Sequence, residues 1–454
     1  MKIQFLGATE TVTGSKYLLT HEGMNILVDC GLFQGRKELR QRNWQKLPID
    51  GKDIHAVILT HAHIDHSGYL PLLVKQGFKG KVYCTEATAE LCKILLPDSG
   101  HLQEEYAEHV NRNQITSHKP AEPLYTELDA IKSLKNLVPC DFGKKYVLSN
   151  NNLSFQFNRA GHILGAAMTL VMFGHKSILF TGDIGRKDDP IMLPPVAVTA
   201  ADYLVIESTY GDRLHRGPKA KNSIAKIINN TIERKGSVLI PAFAVGRSQM
   251  ILYYIHELKR DGAIPDVPVY LDSPMAINAT EIFHRFVKEH RLTPVQAEAV
   301  CSTASYVNSV EESKRLDYDE TPKIIISASG MAAGGRVLHH LRVLAPDKAN
   351  SVMFVGFQAD GTLGDALVRE KVRKIRLFRD FIPVRAEVHY LNNLSAHADY
   401  LELMEWLRNF DKAPSKTFVV HGEAAAAKTF QACIQEKFGW KTSVPSYLQE
   451  EELS

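Results

Sequence analysis

A chain of 454 residues is too long for one ordinary core, so two domains, or one domain carrying a large insertion, are expected. Its composition, 44% hydrophobic and 23% charged, is that of a soluble globular protein, and no apolar run approaches the ~20 residues a membrane span requires. The formal net charge of +3 is nearly balanced, so a polyanionic partner would have to be met by a local basic patch or by metal ions. The opening MKIQFLGATE has too short an apolar stretch for a secretory leader, and a cytoplasmic protein is expected. Cys30, Cys84, Cys92, Cys140, Cys301 and Cys433 form no CxxC pair, which argues against a disulfide framework or a zinc ribbon and predicts buried thiols.

Short β-branched or apolar runs alternate with helical patterns, the look of a layered α/β fold. The first predicted strands are KIQFL, NILVD, AVILT, KVYC, LSFQF, SILFTGD and YLVIE. Four of these runs lead into a reactive side chain: Asp29, His61, Asp183 and Glu207. Strand ends are where a rigid sheet presents functional groups. The polar, turn-rich TYGDRLHRGPKA then reads as a boundary. A second α/β series follows, with SVLIP, a helix over 248–259, VPVYLD, a helix over 277–289, KIIIS and SVMFVGF. The pattern changes again near FRDFIPVRAEVHYLNN, before the units LSAHADYLELMEWLRNF and TFVVHGEAAAAKTFQACIQEKF. The boundaries expected are 1–211 for the first part of one domain, 212–384 for an inserted domain and 385–454 for the second part of the first.

The stretch LTHAHIDHSGYLP places His61, His63, Asp65 and His66 within six residues after an apolar strand. An extended-to-turn loop can aim two donor sets from such a window at two adjacent points. Imidazole and carboxylate together suit zinc and related transition metals. A solvated histidine-rich loop is the alternative; four donors in one window argue against it. Further candidates are His162 in RAGHILGAA, Asp183 in LFTGDIG and His421 in FVVHGE. Each alone would read as structural. Together the seven divide into His61, His63 and His162 for one ion and Asp65, His66 and His421 for the other, with Asp183 between them. That leaves coordination positions open, as a catalytic centre requires.

THAHIDHSG resembles the HxHxDH signature of the metallo-β-lactamase superfamily, and Asp29, His162 and Asp183 follow in the order of that superfamily's other motifs. The resemblance implies an αββα sandwich with two zinc ions per chain at one edge of its sheets. It makes Asp29 an outer residue that orders the loop rather than a ligand. ESTYGDR, PAFAVGRSQ, SASGMAAGGR, GFQADGTLG, LSAHADY and VVHGE extend the likeness over nearly the whole chain, toward the β-CASP nucleases. These include the pre-mRNA 3′-end processing endonuclease, its archaeal relatives and RNase J. The fold class expected is therefore α/β, a metallo-β-lactamase sandwich with an inserted α/β β-CASP domain. Glu207, His397 and His421 match that family's diagnostic residues.

What this implies is a zinc-dependent ribonuclease that hydrolyses single-stranded RNA through a two-metal-activated hydroxide. It would be an endoribonuclease, with 5′-to-3′ exonuclease action left open, in RNA processing or decay. Asp65 and Asp183 would serve catalysis as ligands, and His397 would protonate the leaving oxygen with Glu207 holding its ring and favouring the protonated form. The serine- and glycine-rich turn after KIIIS offers free N–H groups to an anion, so Ser327, Ser329, Gly334, Gly335 and Arg336 are assigned to the RNA backbone. Two positions depart from the family pattern: Met250 where glutamate is common and Asp365 where arginine is common. KVRKIRLFRDFIPVR carries six basic residues interleaved with aromatics, read either as an RNA surface or as a strand with one solvated basic face. The ungrouped histidines at 101, 109, 118, 175, 215, 284, 290, 339 and 340 read mostly as surface residues. A thioester or lactone hydrolase on the same scaffold, an inactive RNA-binding subunit and a DNA nuclease are the alternatives. Oligomeric state is open, a homodimer being one arrangement.

Overall fold

The computed structural model describes residues 1–114, 120–149, 153–215, 220–356, 358, 361–378 and 380–454; His118 and parts of the GPKA and FQAD stretches lie outside them. The chain forms two compact units, 1–214 with 397–454, and 215–396. The return to the first unit therefore comes at His397, later than the expected 385. The cause is a strand, Glu387–Leu391, that pairs with the second unit's sheet.

In the first unit β1 (Lys2–Phe5), β2 (Tyr17–His21), β3 (Met24–Val28), β4 (Ala56–Ile58), β5 (Lys81–Thr85) and β6 (Leu137–Cys140) lie side by side in that order. A second sheet holds β7 (Lys145–Ser149), β8 (Leu153–Arg159), β9 (Ala167–Phe173), β10 (Lys176–Phe180) and β11 (Tyr203–Glu207). The two sheets meet through Phe5, Tyr17, Val28 and Ile58 from one and Phe155, Phe157, Val171, Phe180 and Val205 from the other. In β11 Tyr203 and Val205 enter this shared core, yet Leu204 and Ile206 on the opposite face are also buried. A strand covered on both faces must read as the unbroken apolar run YLVIE rather than as an alternation.

The second unit contains a parallel sheet of β12 (Val238–Pro241), β13 (Val269–Leu271), β14 (Ser305–Tyr306), β15 (Ile324–Ser327), β16 (Ser351–Val355) and β19 (Glu387–Leu391), with a hairpin, β17 (Lys374–Leu377) and β18 (Asp380–Pro383), between the last two in sequence. The order is β14-β13-β15-β12-β16-β19. The first unit is then completed by β20 (Lys416–Val420) and β21 (Thr442–Ser443) on the second sheet and β22 (Glu450–Glu452) beside β1.

Among the described residues no helix is long and apolar enough to cross a membrane. The helix expected over 248–259 is Arg247–Arg260. The one expected from 277 begins earlier, at Pro274, because Ser273 accepts the Ala276 N–H and caps it. Within the basic run 371–385, whose Arg379 lies outside the described residues, β17 and β18 pair with one buried and one exposed face. Of the ungrouped histidines expected mostly at the surface, His290 and His340 are buried.

His340 anchors a charge network inside the second unit. Its Nε2 lies 2.7 Å from Asp272 and its Nδ1 2.7 Å from Asp317. Asp272, fully buried, also accepts from Ser313 at 2.6 Å and from Arg336 at 2.6 Å. Only the protonated ring can donate to both carboxylates. Burial works against that charge, but the bonds to Asp272 and Asp317 outweigh it and raise the His340 pKa to about 9. A folded value above the ordinary 6.5 means that the stabilisation is complete below about pH 6.5 and lost as pH rises through about 9. The difference in unfolding free energy between the native chain and His340→Gln should shrink by about 3 kcal/mol between pH 6 and pH 10. Denaturant titrations at a series of pH values measure it, and a pH-independent difference would contradict a protonated His340.

Candidate metal centre

The strands decide where the donors gather. β3 and β4 run parallel, as do β10, β11 and β20, so their carboxyl ends share one edge. β8 points the same way, being separated from β10 by the antiparallel β9. Asp29, His61, His162, Asp183, Glu207 and His421 stand on or just after these six ends. Two loop approaches are so close that a Cβ has no room: one on Gly31 would lie 1.6 Å from the Asp65 carbonyl oxygen, and one on Gly185 1.9 Å from that of Gly161. Glycine at these two positions lets the loops converge.

Among the described residues, His61, His63, His162 and Asp183 form one group of potential metal donors and Asp65, His66 and His421 another. In the first group, Nε2 of His61 is 3.1 Å from Nδ1 of His63, which is 3.3 Å from Nε2 of His162. Oδ2 of Asp183 stands 3.4 Å from His61 and 3.5 Å from His162. Donors arranged tetrahedrally around an ion at about 2.0–2.1 Å stand about 3.3–3.4 Å from one another. In the second group, Nε2 of His66 and Nε2 of His421 are 3.1 Å apart, and Oδ2 of Asp65 is 3.4 Å from His421 and 3.9 Å from His66. The other Asp183 oxygen, Oδ1, lies 3.3 Å from His66 and 3.4 Å from His421. Asp183 thus turns one oxygen toward each group. Oδ1 is buried and accepts no hydrogen bond from the described residues. A nitrogen-rich donor set around a buried, unsatisfied carboxylate oxygen fits a pair of divalent cations.

The protonation pattern agrees with that reading. Burial and the neighbouring imidazoles hold His61 well below its ordinary value, and burial pulls His63 down to about 4. Neutral imidazole is the form that ligates. Burial opposes the charge on Asp183, but His421, His66, His397 and His61 outweigh it and hold the carboxyl well below its usual range. His66 goes the other way: against burial, Asp183, Asp29 and Asp65 raise it well above 6.5. A proton there experiences the negative field that a cation would neutralise, and an ion would displace it.

Three of the imidazoles, His66, His61 and His421, are aimed by a group behind the ring. Asp29 accepts from the Thr60 N–H at 2.7 Å and the Thr60 hydroxyl at 2.9 Å, and lies 2.8 Å from Nδ1 of His66. That leaves Nε2 of His66 directed at the centre. Thr60 and Thr209 place hydroxyls 3.1 Å from Nδ1 of His61 and of His421. Neither threonine carried a signal in the sequence, because a hydroxyl after a strand is common and only the approach of the rings gives it a task. Asp29 and His421 both have left-handed backbone, φ +57° and +47°, strain of the kind that a site keeps when surrounding contacts over-determine it.

His397 follows a short bridge between its own backbone and Gly185. Its Nδ1 lies 3.2 and 3.1 Å from the two oxygens of the fully buried Glu207, which also accepts the Ile184 N–H at 2.6 Å. Its Nε2 is 3.9 Å from Oδ2 of Asp183. Burial disfavours a charged ring, but Glu207 and then Asp183 overcome this and raise His397 to about 9.

The residues expected on the RNA backbone lie in the other unit. Ser327 is buried, and its hydroxyl donates to the Asp272 carbonyl at 2.9 Å. Ser329 Oγ accepts the Ala333 N–H at 2.9 Å, while Gly335 is exposed and Gly334 has open space beside it. Arg336 donates to Asp272, to the Val307 carbonyl at 2.9 Å and to the Asn308 carbonyl at 2.7 Å. The protein itself already engages this guanidinium through three hydrogen bonds. Met250 is buried beside Arg247, and Asp365 is buried and paired with Arg369 at 2.8 Å.

Comparison with known proteins agrees with this architecture. Residues 11–129 match the metallo-β-lactamase superfamily, 248–367 the Beta-Casp domain, and 382–445 the Zn-dependent metallo-hydrolase RNA specificity domain. A ribonuclease of Thermus thermophilus is 35% identical over 93% of each chain. The chain belongs to the β-CASP family of the metallo-β-lactamase superfamily. An RNase J-like protein of Methanocaldococcus jannaschii is 32% identical over 98% of this chain and 97% of its own. The transcription termination factor FttA of the same organism is 30% identical over 99% of this chain and 71% of its own. A crystal structure of an Enterococcus faecalis protein of unknown function shares the fold, with a TM-score of 0.53 at 13% identity over 99% of both chains.

For this β-CASP chain, Asp183→Asn should lower the bound metal from two ions to one or none, read by elemental analysis of gel-filtered protein. Asp29→Ala should keep both sites but weaken metal affinity about 10- to 100-fold in chelator competition. Full retention of two tightly held ions in Asp183→Asn would rule out a shared carboxylate.

Proposed function

We propose that this protein is a zinc-dependent ribonuclease that cuts phosphodiester bonds of single-stranded RNA and works in the cytoplasm, where its six free thiols would stay reduced. The observation that carries the proposal is the His397–Glu207 pair standing against Asp183, where the two donor groups meet. Support comes from the Thermus relative named a ribonuclease and from the match to an RNA specificity domain. His61, His63, His162 and Asp183 would hold one zinc ion, and Asp65, His66, His421 and Asp183 the other. Bound together, two such ions supply charge stabilisation to a phosphate and lower the pKa of water toward neutrality.

The chain's own residues provide the rest. Asp29 fixes the His66 ring, and Thr60 and Thr209 fix the rings of His61 and His421. Glu207 keeps His397 protonated on Nδ1 and leaves Nε2 as the proton to be given. Water gives up a proton to solvent as its oxygen adds to phosphorus, the bond from phosphorus to the 3′ oxygen breaks, and His397 delivers its Nε2 proton to that oxygen. The products are a 5′-phosphate and a 3′-hydroxyl, and solvent reprotonates His397. A thioester hydrolase would not need such an acid, because a thiolate leaves unprotonated where a ribose oxygen does not.

His397→Ala should keep both metal ions by elemental analysis while cutting internally labelled single-stranded RNA about 10²- to 10⁴-fold more slowly. Chelation should abolish cleavage, and added zinc should restore it. An unchanged rate in His397→Ala removes that residue from the mechanism; thioester hydrolysis without RNA cleavage refutes the proposal.

A further inference from the structure

The centre makes no use of the basic run 371–385. In β17–β18 Lys374 pairs opposite Pro383 and Arg376 opposite Phe381. Strand alternation sends Ile375, Leu377 and Ile382 into the core of the second unit and leaves Lys374, Arg376, Phe381 and Pro383 exposed on the other face. Lys371, Arg373 and Arg385 flank the hairpin and are also exposed. Among the described residues none of these five cations has a carboxylate within 4.0 Å. The one acid of the run, Asp380, is paired with Arg342 at 2.6 Å. Unpaired like charges gathered on one small hairpin repel one another, which is a cost without a partner of opposite sign.

Two rings accompany the charges. Phe381 is 63% and Phe378 49% exposed. Lys374 sits 4.6 Å over the Phe381 ring, and the His339 ring lies 4.8 Å from Phe378 at a tilt of 34°. Cations alternating with exposed ring faces match a polymer that alternates phosphates with flat bases. An acidic protein would use the cations but not the rings. A membrane surface would favour a deeper apolar wedge than two flat phenyl rings beside Pro383.

We propose that this face is a second nucleic-acid surface that holds single-stranded RNA, with Lys374 and Arg376 on phosphates and Phe381 and Phe378 under bases. The choice of RNA rests on the reading of the metal centre as a ribonuclease site, although the surface lies wholly in the other unit. The test is fluorescence anisotropy of a labelled single-stranded RNA with the full chain carrying His397→Ala to prevent cutting.

Adding Lys374→Ala with Arg376→Ala should weaken binding at least tenfold and reduce the slope of log affinity against log salt by about 1.4. Phe381→Ala should weaken binding fivefold or more with the slope unchanged. Lys374→Arg with Arg376→Lys should bind as the parent does, and matching thermal unfolding of all the variants excludes misfolding. Unchanged affinity and slope in the double alanine variant would overturn the proposal. So would a loss seen only with phosphatidylserine vesicles. Weaker RNA binding by that variant, alongside a native chain that cuts no RNA, would uphold the surface and reject the ribonuclease reading. Cleavage by the native chain with unaltered affinity in the variant would do the reverse.

Discussion

The first unit depends on one carboxylate facing two ways. Asp183 is buried, and its oxygens stand 3.3–3.5 Å from four imidazoles. In the protein alone the ionised Asp183 and a protonated His66 offset each other against the cost of burial, while His61 and His63 stand neutral with lone pairs crowded around them. Two dications bound there would relieve this crowding at once. The strained backbone of Asp29 and His421, the glycines that admit the loops and the threonine hydroxyls behind the rings all serve to hold this concentration of donors in place.

His397 belongs to the same construction but has another source of charge. Glu207 ends β11 beneath it, and the Ile184 N–H fixes the carboxylate. The strand that carries Glu207 is parallel to those leading to Asp183 and His421, so an acid group and two metal donors arise from three neighbours in one sheet. A displacement of that sheet edge would disturb the metal-donor groups and the His397–Glu207 pair together.

The second unit solves a different problem. Its loop after β15 looks like an anion cradle in sequence, but its arginine is turned inward to a buried network of Asp272, His340 and Asp317. A cluster of its cations without a carboxylate partner among the described residues stands instead on a hairpin, where alternation puts apolar residues inside and basic and aromatic ones outside.

Sequence alone determined the family, the layered α/β class and the seven candidate donors, because a strand followed by HAHIDH and isolated histidines and aspartates at later strand ends have few other uses. It also placed Asp29, Glu207 and His397. It could not decide which groups are held by the protein itself. Arg336 reads as a free phosphate donor until Asp272 and two carbonyls are seen around it, His340 reads as a surface residue until two aspartates close on it, and the return to the first unit lies later than the change of pattern suggests because β19 completes the second sheet. These are contacts between residues far apart in the chain, and periodicity records which face a residue occupies, not what stands opposite.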